Sequence, residues 1–293
     1  NSNDFNLSIG GNIAFNKTKI VNLGLPPADV LLPFNNGGND YSVQQRGLYY
    51  GNEISRGNSV KFPINIFIEG EENALFYGWK TDGLFQEGDE FYTINGSLAQ
   101  PGDIKVLDIN GDGVVDLDDR TIIGNPNPDY TYGLNVNMNY KQFSLSMLFN
   151  GVYGNDIVNA NMYRFGWASR STFRNILSDA WYNRWTPENT NTSYPRIGYD
   201  SELLPALMDN TIEDGSYLRL KNISLGYNLD VDSINFIDSA TLSVTGINLF
   251  TWTNYSGYDP EITSFLWDGL IQGTDWNNKP NSKTILIGLN VEL

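Results

Sequence analysis

The chain has 293 residues, 18 Lys and Arg against 34 Asp and Glu, and a formal net charge of −16 at pH 7. This acidity argues against nucleic acids and anionic membrane surfaces as partners, because both would repel the chain. The sequence contains no cysteine and no histidine, which excludes disulfides, thiolate metal sites, cysteine nucleophiles and histidine general bases.

The first predicted element is a β-strand at the start of the chain. Phe5, Leu7, Ile9, Ile13 and Phe15 alternate with polar or small residues, and alternate side chains of a strand point to opposite faces. One apolar and one polar face is typical of a membrane β-barrel strand, because the lumen is wet. The chain begins at Asn1, and we interpret it as a fragment or a mature piece of a longer protein.

The long connection that follows, at about 16–129, contains a twelve-residue calcium-type loop at 108–119. Oxygen-bearing residues fall at the ligand positions of such a loop, and Gly113 stands where the chain must turn sharply. The predicted Ca²⁺ ligands are Asp108, Asn110, Asp112, the backbone carbonyl of Val114, Asp116 and Asp119. The last position holds Asp rather than Glu, as in dockerin-type loops. We expect a structural ion, and the alternative is an Asp- and Asn-rich surface turn without an ion.

A hairpin is predicted next. Its two strands alternate in the same way and are separated only by Lys141 and Gln142. The apolar positions are Tyr130, Tyr132, Leu134, Val136, Met138 and Tyr140, then Phe143, Leu145, Met147 and Phe149. Aromatic residues at both ends with aliphatic residues between them match the two aromatic girdles of a barrel strand.

One helix and three further strands complete the prediction. Helical spacing of apolar residues favours a helix over 171–185, and alternation predicts strands at about 217–229, 240–250 and 284–293. The six strands then have short connections at 141–142 and 230–239, and long ones at about 16–129, 153–215 and 251–283. Because strand direction alternates, every long connection falls on one side, the outer side in a bacterial outer-membrane barrel. A soluble sandwich or jelly roll is the alternative, although it gives no reason for this sorting.

Two carboxylate pairs and a set of aromatic residues are weaker candidates for function. Glu213 with Asp214 and Asp259 with Glu261 have the residue types of a glycosidase, but both pairs lie in turns without an apolar pocket to raise a pKa. The aromatic residues of the long connections suit contact with sugar rings or a partner protein. They are Trp167, Trp181, Trp185, Trp252, Tyr255, Tyr258, Trp267 and Trp276.

Several ordered blocks of sequence resemble the SusC/RagA-like TonB-linked outer-membrane proteins. The blocks are 77–86, 101–105, 108–113, 119–133, 149–157, 184–189 with 194–196, 214–222, 246–250 and 255–261. They span nearly the whole chain. One departure is the last residue, Leu293, where the family usually ends on an aromatic side chain.

The resemblance implies an all-β fold, in which this chain forms about the last six strands of an antiparallel transmembrane barrel of roughly 22 strands with a plugged lumen. It also implies an outer-membrane location, a SusD-like lipoprotein lid, energy from TonB through a plug region outside this chain, and oligosaccharide or peptide cargo. The predicted function is therefore import rather than catalysis. The alternatives are a secreted calcium-dependent carbohydrate-binding or adhesive β-module and, less well supported, a glycan hydrolase.

Overall fold

The computed structural model describes residues 4–24, 48–52, 54, 62–94, 96–166, 175–198, 206–234 and 236–293. Six long strands carry most of the regular structure, and twelve short strands lie between them. In chain order they are β1 Phe5–Ala14, β2 Leu48–Tyr50, β3 Asn65–Ile68, β4 Leu75–Trp79, β5 Thr81–Leu84, β6 Thr93–Ile94, β7 Ser97–Leu98, β8 Ile104–Val106, β9 Thr121–Gly124, β10 Tyr130–Tyr140, β11 Phe143–Tyr153, β12 Asp156–Asn159, β13 Leu207–Met208, β14 Ile212–Asp214, β15 Tyr217–Leu229, β16 Ser239–Thr253, β17 Thr274–Asp275 and β18 Thr284–Glu292.

The six long strands form one antiparallel sheet in the order β1-β10-β11-β15-β16-β18. Each strand pairs with its nearest long neighbours in the chain, as in an up-and-down barrel. The two-residue turn of Lys141 and Gln142 joins β10 to β11, and Lys141 adopts a positive φ of 52° there. The connection from β15 to β16 is also short, at 230–238. The predicted all-β, six-stranded antiparallel fold is confirmed.

The register of the sheet separates an apolar face from a polar face. One cross-strand row on the apolar face contains Ile9, Val136, Met147 and Ile223. The next row, one residue along each strand, lies on the opposite face and contains Ser8, Asn137, Ser146, Ser224 and Thr245. Side chains on the apolar face remain uncovered, and Ile9 is 63% exposed. The sheet therefore presents an unpartnered apolar surface.

Aromatic residues border the apolar face at both ends of the strands. Tyr140 lies opposite Phe143, and the Phe143 ring is 4.8 Å from the Tyr227 ring at the end with the short turns. At the other end, Tyr130 stacks on Tyr153 with ring centroids 5.0 Å apart. Rings of this kind match the girdles that barrel strands place at the two membrane interfaces.

The described residues of the three long connections, 15–129, 154–216 and 254–283, fold together at one end of the sheet into a single body, here called the loop body. Its short strands form small sheets, including β13-β4-β3-β2 and β14-β12-β17. Residues from all three connections share one hydrophobic core, exemplified by Phe76, Val158 and Ile271. The alternation in sequence did not predict this core, because these strands contain only two to five residues and show no sustained period.

The predicted helix over 171–185 is wrong in extent. The α-helix α1 covers Ser178–Tyr182 only, residues 171–174 lie outside the described part of the chain, and 183–185 leave the helix. Of the apolar residues whose helical spacing gave the prediction, Ala180 is buried but Leu177 and Trp181 are each 47% exposed, so the spacing does not mark the buried face of a long helix. Within the described residues, further helical turns lie at Leu117–Asp119, Met162–Gly166 and Asp209–Thr211. No helix of the described residues is long and apolar enough to span a membrane.

The core of the loop body supports a first prediction. Phe76 is fully buried at its centre, so Phe76→Ala should destabilise this body by about 3–5 kcal/mol through lost burial and a residual cavity. The measurement is amide hydrogen exchange across 62–124 in the intact protein. Tyr182→Ala, at a side chain that is 78% exposed, is the control and should change protection little. Equal effects of the two variants would contradict the assignment of the core.

Candidate functional sites in the loop body

The 108–119 loop has an ordered turn geometry built from its own side chains. The two carboxylate oxygens of Asp108 accept hydrogen bonds from the backbone N–H groups of Gly111, at 2.6 Å, and Gly113, at 2.8 Å. Both glycines have positive φ, 77° and 85°, which a residue with a Cβ rarely adopts. Asp112 accepts from Val114 N–H at 2.8 Å. The chain therefore turns where the motif predicted it would.

Asp119 closes this loop and is fully buried. One of its carboxylate oxygens accepts from Ile109 N–H and the other from Asp116 N–H, each at 2.8 Å. Asp116 in turn caps the short helical turn that contains Asp119. Trp79 donates its indole N–H to the carbonyl of Asp116 at 2.7 Å. These bonds join the two ends of the loop and attach the loop to the core.

Backbone hydrogen bonds favour the charged form of Asp108. Hydrogen bonds from Gly113 and Gly111 N–H lower the pKa of Asp108 below its ordinary value. However, no group of three or more Asp, Glu, His or Cys side chains converges as a metal site anywhere in the part of the chain that the structure describes. The carboxylates are instead engaged with backbone N–H groups. Ca²⁺ binding here stays a prediction.

A buried arginine forms a second site, at the rim between the sheet and the loop body. Arg219 on β15 is 1% exposed. Its guanidinium donates to Asp259 at 2.5 Å, to Glu261 at 2.7 Å and to the Thr251 hydroxyl at 3.0 Å. Lys221, at a bulge in the β15–β16 pairing, lies 3.4 Å from Glu261. The carboxylate pair considered for glycosidase chemistry is therefore neutralised by ion pairs.

This cluster, here called the Arg219 clamp, holds both ends of the connection 254–283. Asn281, near the end of the connection, donates its backbone N–H to Asp259 and its side-chain amide to Glu261, each at 3.2 Å. Burial would raise the pKa of Asp259, but hydrogen bonds from Arg219 and from the backbone of Glu261 and Asn281 outweigh it and lower the pKa. The charged groups of the Arg219 clamp therefore have a structural role, which is to hold the connection 254–283 in place.

The other carboxylate pair does not form a pair in space. Glu213 accepts hydrogen bonds from Ser256 and from the Asn159 amide, whereas Asp214 is exposed and accepts from Ser216 N–H. Adjacent residues of a strand point to opposite faces. The two carboxyl groups therefore cannot act on one glycosidic bond.

The aromatic residues of the long connections divide into buried and exposed groups. Trp185 and Tyr255 are buried, donating to Gln86 and Asp275 respectively, and Trp276 packs against the core. Trp181, Tyr258 and Trp267 are exposed, with Tyr258 at 82%, whereas Trp252 lies within strand β16 and not in a long connection. Trp167 lies outside the described residues. The exposed members are the ones available for contact with a ligand or partner.

Two open clefts lie in the loop body. One, of about 410 Å³, lies beside Phe265 and Leu266 and is lined mainly by apolar side chains. The other, of about 600 Å³, is lined by Asp82, Asp89 and Glu90 and reaches the 108–119 loop. Their sizes fall within the range of ligand pockets.

The chain is similar in sequence to TonB-dependent receptors. It is 35% identical to TonB-dependent receptor P26 of Formosa agariphila over 232 residues, which is 76% of this chain and 23% of that protein. It is 31% identical to receptor P3 of the same organism over 299 positions, 99% of this chain and 27% of that protein. TonB-dependent receptor SusC of Bacteroides thetaiotaomicron is 26% identical over 99% of this chain and 24% of its own length. No protein-family model matches the chain.

The fold is similar to that of solved transporter structures. The structure of the RagAB peptide transporter superposes with a TM-score of 0.69 at 22% identity, covering 99% of this chain and 28% of that one. The RagAB peptide importer in its "open-open" state gives a TM-score of 0.68. The chain spans about a quarter of the length of the proteins it matches.

An antiparallel sheet with one apolar face, aromatic borders and all its large connections at one end defines a sector of a transmembrane β-barrel. The chain belongs to the TonB-dependent receptors of the SusC/RagA kind, of which it forms a part. The relatives are named as receptors and transporters rather than enzymes, in agreement with the prediction against catalysis.

The Arg219 clamp supports a second prediction. Arg219→Met leaves the buried carboxylate of Asp259 without its counter-charge, so the connection 254–283 should lose roughly 3–5 kcal/mol of local stability. Hydrogen exchange of the amides of 259–281 measures the loss. Lys221→Met is the matched control, because its ammonium is partly exposed and its ion pair contributes under about 1 kcal/mol.

The clamp should also respond to acid. A folded-state pKa of Asp259 below the ordinary 3.8 means that its contribution is complete above that value and is lost as pH falls through the folded-state pKa. Protection of 259–281 should therefore be constant near neutrality and fall only in strong acid. Loss of protection already between about pH 7 and pH 6 would contradict this assignment.

Proposed function

We propose that the protein containing this chain imports oligosaccharides or peptides across the bacterial outer membrane in a TonB-dependent manner. In this proposal the chain contributes barrel wall and outer loops. The observation that carries it is the continuous apolar face of the six-stranded sheet, bordered by aromatic residues and joined to a loop body at one end only. Strands of 9–15 residues are long enough to cross a bilayer, for which about 9–11 residues suffice.

The two edge strands support placement within a larger barrel. β1 pairs only with β10 and β18 only with β16, so each has one edge without a partner among the described strands. Backbone groups left unpaired in hydrocarbon are costly, and only closure with further strands satisfies them. The matched relatives have the additional length needed for such strands.

A SusD-like lipoprotein is the partner we propose for the loop body. The neighbouring structures are of the RagAB peptide transporter. In this chain, Tyr258, Leu266 and Trp267 are at least 70% exposed on the connection 254–283. Exposed aromatic residues on a firmly held loop are typical of interface anchors. We place the TonB contact on a part of the protein outside this chain.

We also propose that the 108–119 loop binds a structural Ca²⁺ ion. Asp108, Asn110, Asp112, Asp116 and Asp119 would hold it through side-chain oxygens, and Val114 through its carbonyl. Each carboxylate oxygen has two lone pairs, so a hydrogen bond from one backbone N–H leaves capacity for an ion. Ca²⁺ prefers a set of six to eight hard oxygen ligands in a flexible shell. Bound there, the ion would rigidify the first long connection.

The membrane assignment makes a third prediction. Val136→Arg places a charge on the apolar face at mid-strand and should destabilise the membrane-inserted protein by about 2–4 kcal/mol. Asn137→Arg, one residue further on the polar face, is the control and should be tolerated. Both are measured by chemical unfolding in lipid vesicles. A protein that stays monodisperse in buffer without detergent would contradict the proposal and favour the secreted β-module.

The calcium loop makes a fourth prediction. Excess Ca²⁺, at about 100 times its dissociation constant, should stabilise the loop by about 2.7 kcal/mol, seen as increased exchange protection over 104–121. Asp112→Asn keeps the side-chain acceptor but removes a ligand charge and should abolish most of this gain. Asp118→Asn, at an exposed carboxylate of the same loop outside the ligand positions, should retain it. If Ca²⁺ does not change the exchange protection of the parent protein, the loop is a turn that binds no ion.

A further inference from the structure

One face of the three-stranded sheet β14-β12-β17 brings together oxygen-bearing side chains from two connections. Asn159 on the central strand β12 lies directly opposite Asp275 on β17. Ile157 lies opposite Glu213 on β14, so Glu213 shares the face of residues 157 and 159, because alternate residues of a strand point the same way. Register alone therefore places an amide between two carboxylates.

Asn159 and Asp275 are withdrawn from solvent, Glu213 is partly buried, and neutral donors hold both carboxylates. Asp275 is 1% exposed and accepts from the Tyr255 hydroxyl at 2.6 Å and from Asn278 N–H at 2.9 Å. Glu213 accepts from Ser256 N–H at 2.7 Å, from its hydroxyl at 2.8 Å and from the Asn159 amide at 2.9 Å. Hydrogen bonds of this kind orient both carboxylates but carry no compensating charge.

No Lys or Arg side chain among the described residues neutralises this cluster. Across the described residues, neither Glu213 nor Asp275 forms an ion pair with Lys or Arg. By contrast, Asp259 and Glu261 in the same loop body are neutralised by Arg219 and Lys221. Charged groups taken out of water without compensation cost several kcal/mol. A buried carboxylate and a partly buried neighbour therefore point to a missing positive charge.

A buried side-chain oxygen without a hydrogen-bond partner indicates where a cation would bind. Asn159 is 5% exposed, and its side-chain oxygen has no hydrogen-bond partner. Its amide nitrogen already donates to Glu213 and to Ser256, which fixes the orientation of the amide. Four buried side-chain oxygens of the described residues lack a partner, and only this one belongs to a residue that is itself fully buried. A buried acceptor of this kind normally has a partner.

We propose that Asn159, Glu213 and Asp275 bind a Ca²⁺ ion, at a site separate from the 108–119 loop. Two carboxylates balance a divalent charge, and carboxylate, amide and hydroxyl oxygens are the hard ligands that Ca²⁺ takes. A water molecule would satisfy the Asn159 oxygen but would leave both negative charges uncompensated. The ion would join the connection 154–216, which contributes β12 and β14, to the connection 254–283, which contributes β17 and Tyr255.

The test compares the Ca²⁺ content of variants of the intact, detergent-solubilised protein after equilibration with Ca²⁺ alone. The starting protein carries Asp112→Asn, so that the 108–119 loop does not contribute. Adding Glu213→Gln and Asp275→Asn should remove about one equivalent of Ca²⁺ per protein molecule. Asn and Gln each keep one acceptor oxygen, for the backbone N–H of Asn278 and of Ser256, and the hydroxyls of Tyr255 and Ser256 can turn to accept from the new amide N–H groups, so the fold should survive. Asp214→Asn, on the opposite face of β14, is the matched control and should change nothing.

A second measurement follows the site itself. Tb³⁺ replacing Ca²⁺ should be sensitised by Tyr255, whose hydroxyl contacts Asp275, and Tyr255→Phe should reduce this luminescence as Asp275→Asn does. Equal Ca²⁺ content in the parent and in the Glu213→Gln, Asp275→Asn variant would overturn the proposal and assign the Asn159 oxygen to water. That result would leave the transporter proposal untouched, because the membrane face does not depend on this site.

Discussion

The hydrogen-bonded ladder of the six-stranded sheet is the constraint on which the rest of the structure depends. In hydrocarbon, a backbone N–H or C=O group has no water to bond, so each must be paired by a neighbouring strand. An unbroken antiparallel register does this, and it fixes which side chains share a face. A slip of one residue between β10 and β11 would bring Asn137 to the face of Val136. The register of the strands therefore determines which face is apolar, and the alternation of apolar and polar residues in turn favours that register.

The ladder also determines where the remaining chain must go. Turns of two and nine residues at one end leave little chain there, so the long connections accumulate at the other end. A large irregular segment exposes backbone and apolar surface unless it forms a core of its own. The three connections do so jointly, since Phe76, Val158 and Ile271 belong to one core. The Arg219 clamp then attaches the third connection to the rim of β15, where the barrel-type sheet ends and the loop body begins.

How much of this structure the sequence could predict depends on how many residues each sequence pattern spans. The six strands and the Lys141–Gln142 turn were predictable because a period of two, sustained over about ten residues, is a local property. Pairing of Leu207 with Gly78 was not, since two-residue strands carry no period and the partners are far apart in the chain. The helix over 171–185 was overpredicted because apolar residues at helical spacing, such as Leu177 and Trp181, are exposed rather than packed against a core. Asp259 and Glu261 suggested glycosidase chemistry because the sequence does not show that Arg219, far from them in the chain, pairs with both.

The acidic composition connects the clamp, the calcium-type loop and the proposed cation site. The chain has 34 acidic and 18 basic residues, and among its described residues not every buried carboxylate is paired with a cation. Three solutions appear in the loop body. Asp259 takes a guanidinium, Asp119 takes three backbone N–H groups, and Asp275 takes a hydroxyl and one N–H. The first solution supplies a full opposite charge, and the other two supply only dipoles. Divalent cations bound at Asp119 and Asp275 would supply the missing positive charge from solution. The stability of the loop body would then depend on the ions around it. The stability of the sheet would not, because backbone hydrogen bonds hold its strands together.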